Sequence, residues 1–380
     1  MWNNPAVRAI LYQVLVLGAV IGGGAYLISN TLQNLEQRSI RTGFEFLWRE
    51  AGFDIGESMI FYEPSQTYFR ALLVGLLNTL KVGFLGIVFA SIIGVFVGIG
   101  RLSRNWLIAK LASVYVETIR NIPLLLQLFF WYAILTGVLP IAAESWTLIP
   151  NVYLANSGLN YPVPVPHPAH PYMLLAGLVG LVAAWIYARR ARLRQDRTGQ
   201  IAARFWPGVG FVVGLPFLVW LTGGMPTEMD VPTWQRFNFA GGHHLSPEFV
   251  ALFLGLTIYT GGFIAETVRG GLLAVSHGQT EAARSLGLRS GQVLRLVVLP
   301  QALRVIVPPL TSQYLNLIKN SSLAVGIGYP DLVSVADTTL NQTGQAIEAA
   351  CIMMAVYLAI SLLISAFMNW YNKRVALVER

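Results

Sequence analysis

The sequence predicts an all-α, polytopic membrane protein with about eight transmembrane helices, and three observations carry that expectation. Apolar residues make up 55% of the 380 residues and charged residues only 12%, with a mean hydropathy of +0.58; an average soluble domain is about 25% charged. The apolar residues are gathered into blocks long enough to cross a bilayer, for which a helix needs about 20 residues. The basic residues collect in alternate short segments between those blocks, the pattern that sets membrane orientation.

The blocks run over 9–29, 72–100, 112–139, 172–188, 205–223, 248–268, 303–328 and 346–368. The first follows Arg8, is long for the apolar core of a signal peptide and lacks a small-x-small cleavage site after it, so it reads as a retained span. Segment 30–70 is long, mixed in charge and rich in Glu, and is expected to lie on the membrane surface as a partly helical cap. The block at 72–100 exceeds the minimum length, so it is expected to tilt or to begin outside the membrane. The third block is expected to kink at Pro123. Segment 140–171 has no Lys or Arg and reads Tyr-Pro-Val-Pro-Val-Pro-His-Pro-Ala-His-Pro over 161–171, which predicts a stiff polyproline-like stretch. The fourth and fifth blocks, joined by the Arg-rich loop Arg189-Arg190-Ala-Arg192-Leu-Arg194, read as an inserted hairpin. The seventh is the least apolar, because it contains Gln313, Asn316, Lys319 and Asn320.

Segments 1–8, 101–120, 189–204, 269–304 and 369–380 hold 19 of the 26 Lys and Arg residues, and the alternate segments 30–70, 139–171, 223–248 and 328–346 hold five. The first set is therefore expected in the cytoplasm, with both termini there. The organisation that follows is an N-terminal span and periplasmic segment at 1–70, a transmembrane domain at 71–370 with an inserted hairpin at 140–247, and a cytoplasmic tail at 371–380.

The net charge of +8 does not point to nucleic acid, because no basic helix or finger motif accompanies it. Cys351 lies in an apolar run and is expected to be a small buried hydrophobe. No metal site is expected: His167 and His170 lack carboxylate partners in their loop, and the adjacent His243 and His244 do not readily face one ion together. A membrane-embedded enzyme needs a reactive constellation, yet the blocks hold no His and only Cys351, so a nucleophile–His pair is missing. A secondary transporter is the alternative that explains the intramembrane charges, although no inverted internal repeat is visible.

The most informative stretch is Gly271 to Arg304. Thr280 is expected to cap a short helix whose small Ala282 and Ala283 permit close approach by another surface. Gly287 suits the left-handed position that ends such a helix. Ser290 is expected to cap a second helix, with Val293, Leu296 and Val297 on its apolar face, until Pro300 bends the chain towards the membrane. A helix this short is marginal alone and gains stability by docking into a partner's groove.

The spacing Glu281-Ala282-Ala283, three residues, Gly287, nine residues, Val297, one residue, Leu299-Pro300 resembles the EAA loop of permease subunits in bacterial ABC importers, with Val297 as the conservative change. Three further stretches, Glu117 to Gln127, Ala265 to Gly271 and Lys319 to Leu323, resemble the polar amino-acid branch, which imports histidine, glutamine, arginine, glutamate and similar solutes. The leading span, the long outer segment and the extra hairpin resemble the larger permease of general L-amino-acid systems.

The resemblance implies a type I ABC importer core of five helices behind the N-terminal span, with the hairpin inserted, in the bacterial inner membrane. It also implies a second, homologous permease subunit, two ATP-binding subunits, a periplasmic amino-acid-binding protein and an amino-acid substrate. ATP and Mg belong to the partner ATPase, and no cofactor is expected on this chain. None of its four lysines follows a glycine, so a P-loop is missing.

In this reading Glu281, Ala282, Ala283, Gly287, Val297, Leu299 and Pro300 form the ATPase-coupling loop, and Glu266 with Arg269 braces it. Polar residues within spans are costly in lipid and mark a pathway or a partner. The pathway candidates are Glu117 and Arg120 in the third block, and Asn316, Lys319, Asn320 and Ser321 in the seventh. Two structural alternatives stay open: Glu117 and Arg120 as an i,i+3 pair, and Lys319 reaching outward to the interface.

Overall fold

The computed structural model describes residues 5–37, 43–200, 203–236 and 238–375. Twelve α-helices occur among them: α1 (Pro5–Gln37), α2 (Tyr68–Gly100), α3 (Trp106–Asn121), α4 (Leu124–Gly137), α5 (Ala169–Thr198), α6 (Phe205–Thr222), α7 (Pro247–Leu273), α8 (His277–Ser285), α9 (Ser290–Val293), α10 (Leu299–Asn320), α11 (Leu332–Thr343) and α12 (Ala346–Val375). The chain divides into two compact units, Met1–Ile134 with Glu248–Arg380, and Leu135–Pro247. Of the expected tail, 371–375 continue α12, and 376–380, like 1–4, lie outside the described residues.

Seven helical stretches are long and apolar enough to cross a membrane: Arg8–Thr31, α2, α5, α6, α7, Ser290–Ile327 and α12. The third block breaks at Pro123, where the kink is expected. It is two helices, α3 and α4, bent by 106°, and the total reaches eight only if that bent pair counts as one. Pro123 has no N–H to donate, and Ile122 before it is extended, with φ −99° and ψ 126°. The break frees carbonyls that Gln127 then satisfies: its Nε2 donates to the oxygens of Ile119 and Ile122, both at 2.9 Å.

In the first unit α2 is the central element. A Cβ added at Gly98 would stand 2.7 Å from the Ala265 carbonyl oxygen, and one at Gly94 2.5 Å from Ile264 Cβ. Two glycines four residues apart thus let α2 and α7 cross at backbone contact. Segment 43–67 is partly helical and packed onto the first unit. It carries one short 3-10 turn, Phe44–Trp48, and is tied down by Ala51 N–H donating to the Gln66 carbonyl at 2.7 Å and Tyr68 N–H to the Arg49 carbonyl at 3.0 Å. Phe46, Ala51 and Ile55 are buried with Tyr68, Ala71 and Leu72 of α2 and with Leu332, Val335 and Ala336 of α11. Residues 38–42, within the expected cap, lie outside the described residues.

The seventh block, expected over 303–328, lies within the stretch Ser290–Ile327, where α10 ends at Asn320 and a 3-10 turn, Ser321–Ile327, completes it. Gly328, at φ 81°, then turns the chain into an elbow where Asp331 caps α11, its Oδ1 accepting from Ser334 N–H at 2.9 Å. Cys351 is exposed on α12 rather than buried.

The second unit holds the α5–α6 hairpin and short strands that sequence reading missed. Gly180 meets α6 so closely that a Cβ there would lie 2.4 Å from the Phe211 carbonyl oxygen. Strands β1 (Trp146–Ile149), β2 (Val152–Ala155), β3 (Gly158–Tyr161), β4 (Val163–Pro164), β5 (Met229–Asp230), β6 (Thr233–Gln235), β7 (Asn238–Ala240) and β8 (His243–Leu245) form an antiparallel sheet ordered β1-β2-β3-β8 and two antiparallel pairs, β4-β5 and β6-β7. The expected polyproline stretch is thus partly β3 and β4. Asn151, at φ 67°, makes the first turn, and pairing of β3 with β8 closes the base of the hairpin.

Candidate functional site

The loop between α7 and α10 is built by local rules that differ in detail from the expected ones. Ser276, not Thr280, occupies the N-cap of α8, and Thr280 Oγ1 donates to the His277 carbonyl from within the helix at 2.7 Å. Helix α8 ends in two crossed bonds: Gly287 N–H to the Arg284 carbonyl at 2.8 Å and Leu288 N–H to the Ala283 carbonyl at 3.3 Å. Gly287 sits between them at φ 77°, the left-handed position such a cap requires. Open space surrounds Gly287, so backbone conformation and not crowding demands glycine there.

The next helix begins one residue earlier than the expected Ser290 cap implies. Arg289 takes the N-cap, and its N–H donates to Gln292 Oε1 at 2.9 Å. Pro300 does not interrupt the helix: a π-helical turn, Leu294–Val298, leads from α9 into α10, and Ser290–Ile327 runs on as one stretch. A wider turn ahead of Pro300 accommodates a ring that would clash with the preceding helical carbonyl. Helix α8 packs on α9 and this turn.

Burial separates the loop residues into two sets. Ala283 and Val293 are buried, at 4% exposure each, so Ala283 faces the chain's own interior. Glu281, Ala282 and Leu286 are exposed, Leu286 to 82%, and Leu299 is also exposed, with Val297 and Pro300 half-buried. Of the expected apolar face, Val293 is buried, Val297 half-buried and Leu296 exposed.

The loop's entrance is held by charge. Arg269 Nη2 lies 2.5 Å from Glu266 Oε1, and the other carboxylate oxygen also accepts from Arg101, the C-cap residue of α2. Arg101 was not singled out in the sequence; only the fold brings position 101 to position 266.

The pathway candidates divide as well. Asn316 and Asn320 line a recess of about 230 Å³ with Gln313 on α10 and Tyr259, Thr260 and Phe263 on α7. Gln313, Asn316 and Asn320 share a helix face by their i,i+3 and i,i+4 spacing, and Lys319, about 100° round from Asn320, is exposed and outside the recess. Ser321 is buried, its hydroxyl donating to the Ile318 carbonyl at 2.7 Å. Glu117 and Arg120 do not form the considered ion pair. Arg120 instead lies 5.0 Å over the ring of Phe263, whose ring also lines the recess, and Glu117 is exposed. The recess offers neutral hydrogen-bond donors and acceptors beside an aromatic ring, a lining suited to a small polar solute.

Among the described residues no group of three or more His, Cys, Asp or Glu could hold a metal ion. His167 and His170 stack edge-on with ring centroids 6.0 Å apart, and His244 Nδ1 is 3.1 Å from Asn160 Oδ1.

The chain belongs to the family of binding-protein-dependent transport system inner membrane components, whose model matches residues 86–377. It is 52% identical over 377 residues to the general L-amino acid transport system permease protein AapQ of Rhizobium johnstonii, covering 99% of this chain and 94% of that protein. It is 50% identical to the putative amino-acid ABC transporter permease protein YhdX of Escherichia coli, with 99% and 96% covered. A third relative, the glutamate/glutamine/aspartate/asparagine transport system permease protein BztB of Rhodobacter capsulatus, is 41% identical, with 98% and 95% covered. The chain is therefore a transport permease and not an enzyme, and the family decides against a secondary transporter.

Proposed function

We propose that the chain imports amino acids as one half of a pathway shared with a second, homologous permease, driven by separate ATP-binding subunits and fed by an external amino-acid-binding protein. Both termini and the loop from Gly271 to Arg304 face the cytoplasm in this reading, as the basic-residue asymmetry supports. ATP and Mg stay on the partner ATPase, and this chain binds no cofactor.

The observation that carries the coupling role is the division of α8. Its inner face, with Ala283, is fixed to the chain, and its outer face, with Glu281, Ala282 and Leu286, is left open beyond a rigid Gly287 cap. Such a stub transmits displacement to the helices behind it because Glu266, Arg269 and Arg101 brace its root. The amino-acid class is supported by the names of the relatives and by the neutral polar recess at Asn316 and Asn320.

Reconstitution with the second permease, the ATPase and the binding protein tests the reading. ATP-dependent uptake across a panel of amino acids is the expected result, and uptake that proceeds without the ATPase overturns it. Single cysteines at 150–168 should react with an impermeant reagent from the periplasm and those at 190–198 should not, in a background where the exposed Cys351 is replaced.

A further inference from the structure

The second unit carries a charged feature that solute transport leaves unused. Segment 189–204 contains six arginines and a single acid, Asp196. Among the described residues the ion pairs are Lys81–Glu57, Arg101–Glu266 and Arg269–Glu266, so none of the six arginines joins one. Two are held by neutral groups: Arg189 lies 5.6 Å over the Trp185 ring, and Arg204 donates to Gln195 Oε1. Three others, Arg190, Arg194 and Arg197, line a recess of about 290 Å³ with Leu193 and Thr198.

Their spacing decides what that recess meets. At 100° per residue, Arg190, Arg194 and Arg197 fall within about 60° of one another. The same stripe continues along α5 through Ile186, Val179 and Tyr172, which are 40%, 53% and 64% exposed. On a span this apolar, an exposed hydrophobic stripe faces acyl chains. The guanidinium cluster therefore stands at headgroup level directly below a lipid-facing stripe. Orientation signalling alone asks for positive charge anywhere in the segment, not for three guanidiniums on one face.

We propose that this recess binds the headgroup of an anionic phospholipid, its phosphodiester held by Arg190, Arg194 and Arg197 and its acyl chains lying along the Ile186–Val179–Tyr172 stripe. Arginine's planar fork matches phosphate oxygens bidentately, which a lysine does not. The site rests on the hairpin crossing the bilayer, and the leaflet rests on the cytoplasmic placement of 189–204; neither depends on which solute is carried.

The test uses the full chain in phosphatidylcholine nanodiscs containing a minor fraction of phosphatidylglycerol, with lipid retained through detergent exchange measured by mass spectrometry. Juxtamembrane basic residues contribute roughly fivefold each in anionic-lipid affinity. Replacing Arg190, Arg194 and Arg197 together by Gln should lower phosphatidylglycerol retention about a hundredfold. Arg194→Lys, which keeps the charge and the topology signal, should fall between wild type and Arg194→Gln. Arg192→Gln, on the opposite face of α5, should retain lipid as wild type does. Equal loss in Arg192→Gln and Arg194→Gln overturns the site in favour of diffuse charge, and unchanged retention in the triple variant overturns it outright. Displacement of the lipid by millimolar inorganic phosphate overturns the lipid assignment and leaves a site for a free anion.

Discussion

Arg101 and Glu266, 165 residues apart, form an ion pair that fastens the C-terminal end of α2 to α7 about two turns before that helix ends, and the same carboxylate also holds Arg269. Both partners are largely shielded, with side-chain exposures of 15% for Arg101 and 30% for Glu266. Removing the carboxylate leaves two guanidiniums facing each other without their shared partner. Glu266→Gln is expected to lower stability by about 1–2 kcal/mol, between the surface and buried limits for ion pairs. The same variant should hydrolyse ATP in the assembled complex with a reduced yield of transport per ATP. A melting temperature and a transport-to-hydrolysis ratio both equal to wild type would remove the bracing role.

Asp331 gives a pH dependence of opposite sense to an ordinary paired carboxylate. It caps α11 outside the spans, and burial pushes its carboxyl up to about 6 from the usual 3.8, against the opposing effect of the Ser334 N–H bond. The folded state therefore holds the proton more tightly than the unfolded chain, and the stabilisation is full below pH 4 and lost as pH rises through 6. Asp331→Asn should keep the cap acceptor while removing the cost of burying charge, worth up to roughly 3 kcal/mol at pH 7. Thermal unfolding between pH 4 and pH 7.5 should show wild type losing stability and the Asn variant staying flat. A parallel pH response in both would refute this.

The recess between α7 and α10 predicts a split among neighbours on one helix. Asn320→Ala and Asn316→Ala remove hydrogen-bonding groups from its wall and should raise the transport KM several-fold, as loss of about 1 kcal/mol per neutral hydrogen bond implies. Lys319→Met should leave the transport profile unchanged, since Lys319 is exposed and outside that wall. A defect in Lys319→Met larger than in Asn320→Ala would place the pathway on another face of α10.

What could be read from the chain alone follows from how local each feature is. Seven of the eight span positions, the Gly287 turn and the Glu266–Arg269 pair depend on residues close in sequence and stand in the fold, while the third block breaks at Pro123. Arg101, the Asn78 side chain donating to the Glu57 and Pro330 carbonyls, and the packing of 43–67 against α11 depend on segments well separated along the chain, and nothing local announces them. Of the strands, only β4 and Tyr161 of β3 fall in the proline-rich 161–171, where an extended, unpaired stretch is expected; β1 and β2 are four-residue strands too short to show a clear alternation. The cap expected at Thr280 is taken by Ser276, an equivalent signal four residues earlier, and the cap expected at Ser290 is taken by Arg289, a residue type that carries no capping signal.

The most discriminating prediction concerns α8, where two adjacent alanines have opposite surroundings. Ala282 is exposed and Ala283 is 4% exposed. Ala283→Trp forces a large ring into the chain's own packing and should lower stability by about 1–3 kcal/mol before any partner is considered. Ala282→Trp should leave the melting temperature unchanged yet weaken ATPase association, because the added volume projects from the open face of the stub. Gly287→Val supplies the third arm: it meets open space, so its cost is the left-handed backbone alone, about 1–2 kcal/mol. Gly287→Asn, which tolerates that conformation, should restore most of the loss. A bulky control belongs at Arg192, since Ala191 is itself buried. ATPase co-purification and substrate-stimulated hydrolysis read all five variants. If Ala282→Trp binds the ATPase as wild type does while Arg192→Trp does not, the docking surface lies at the end of the inserted hairpin and not on α8.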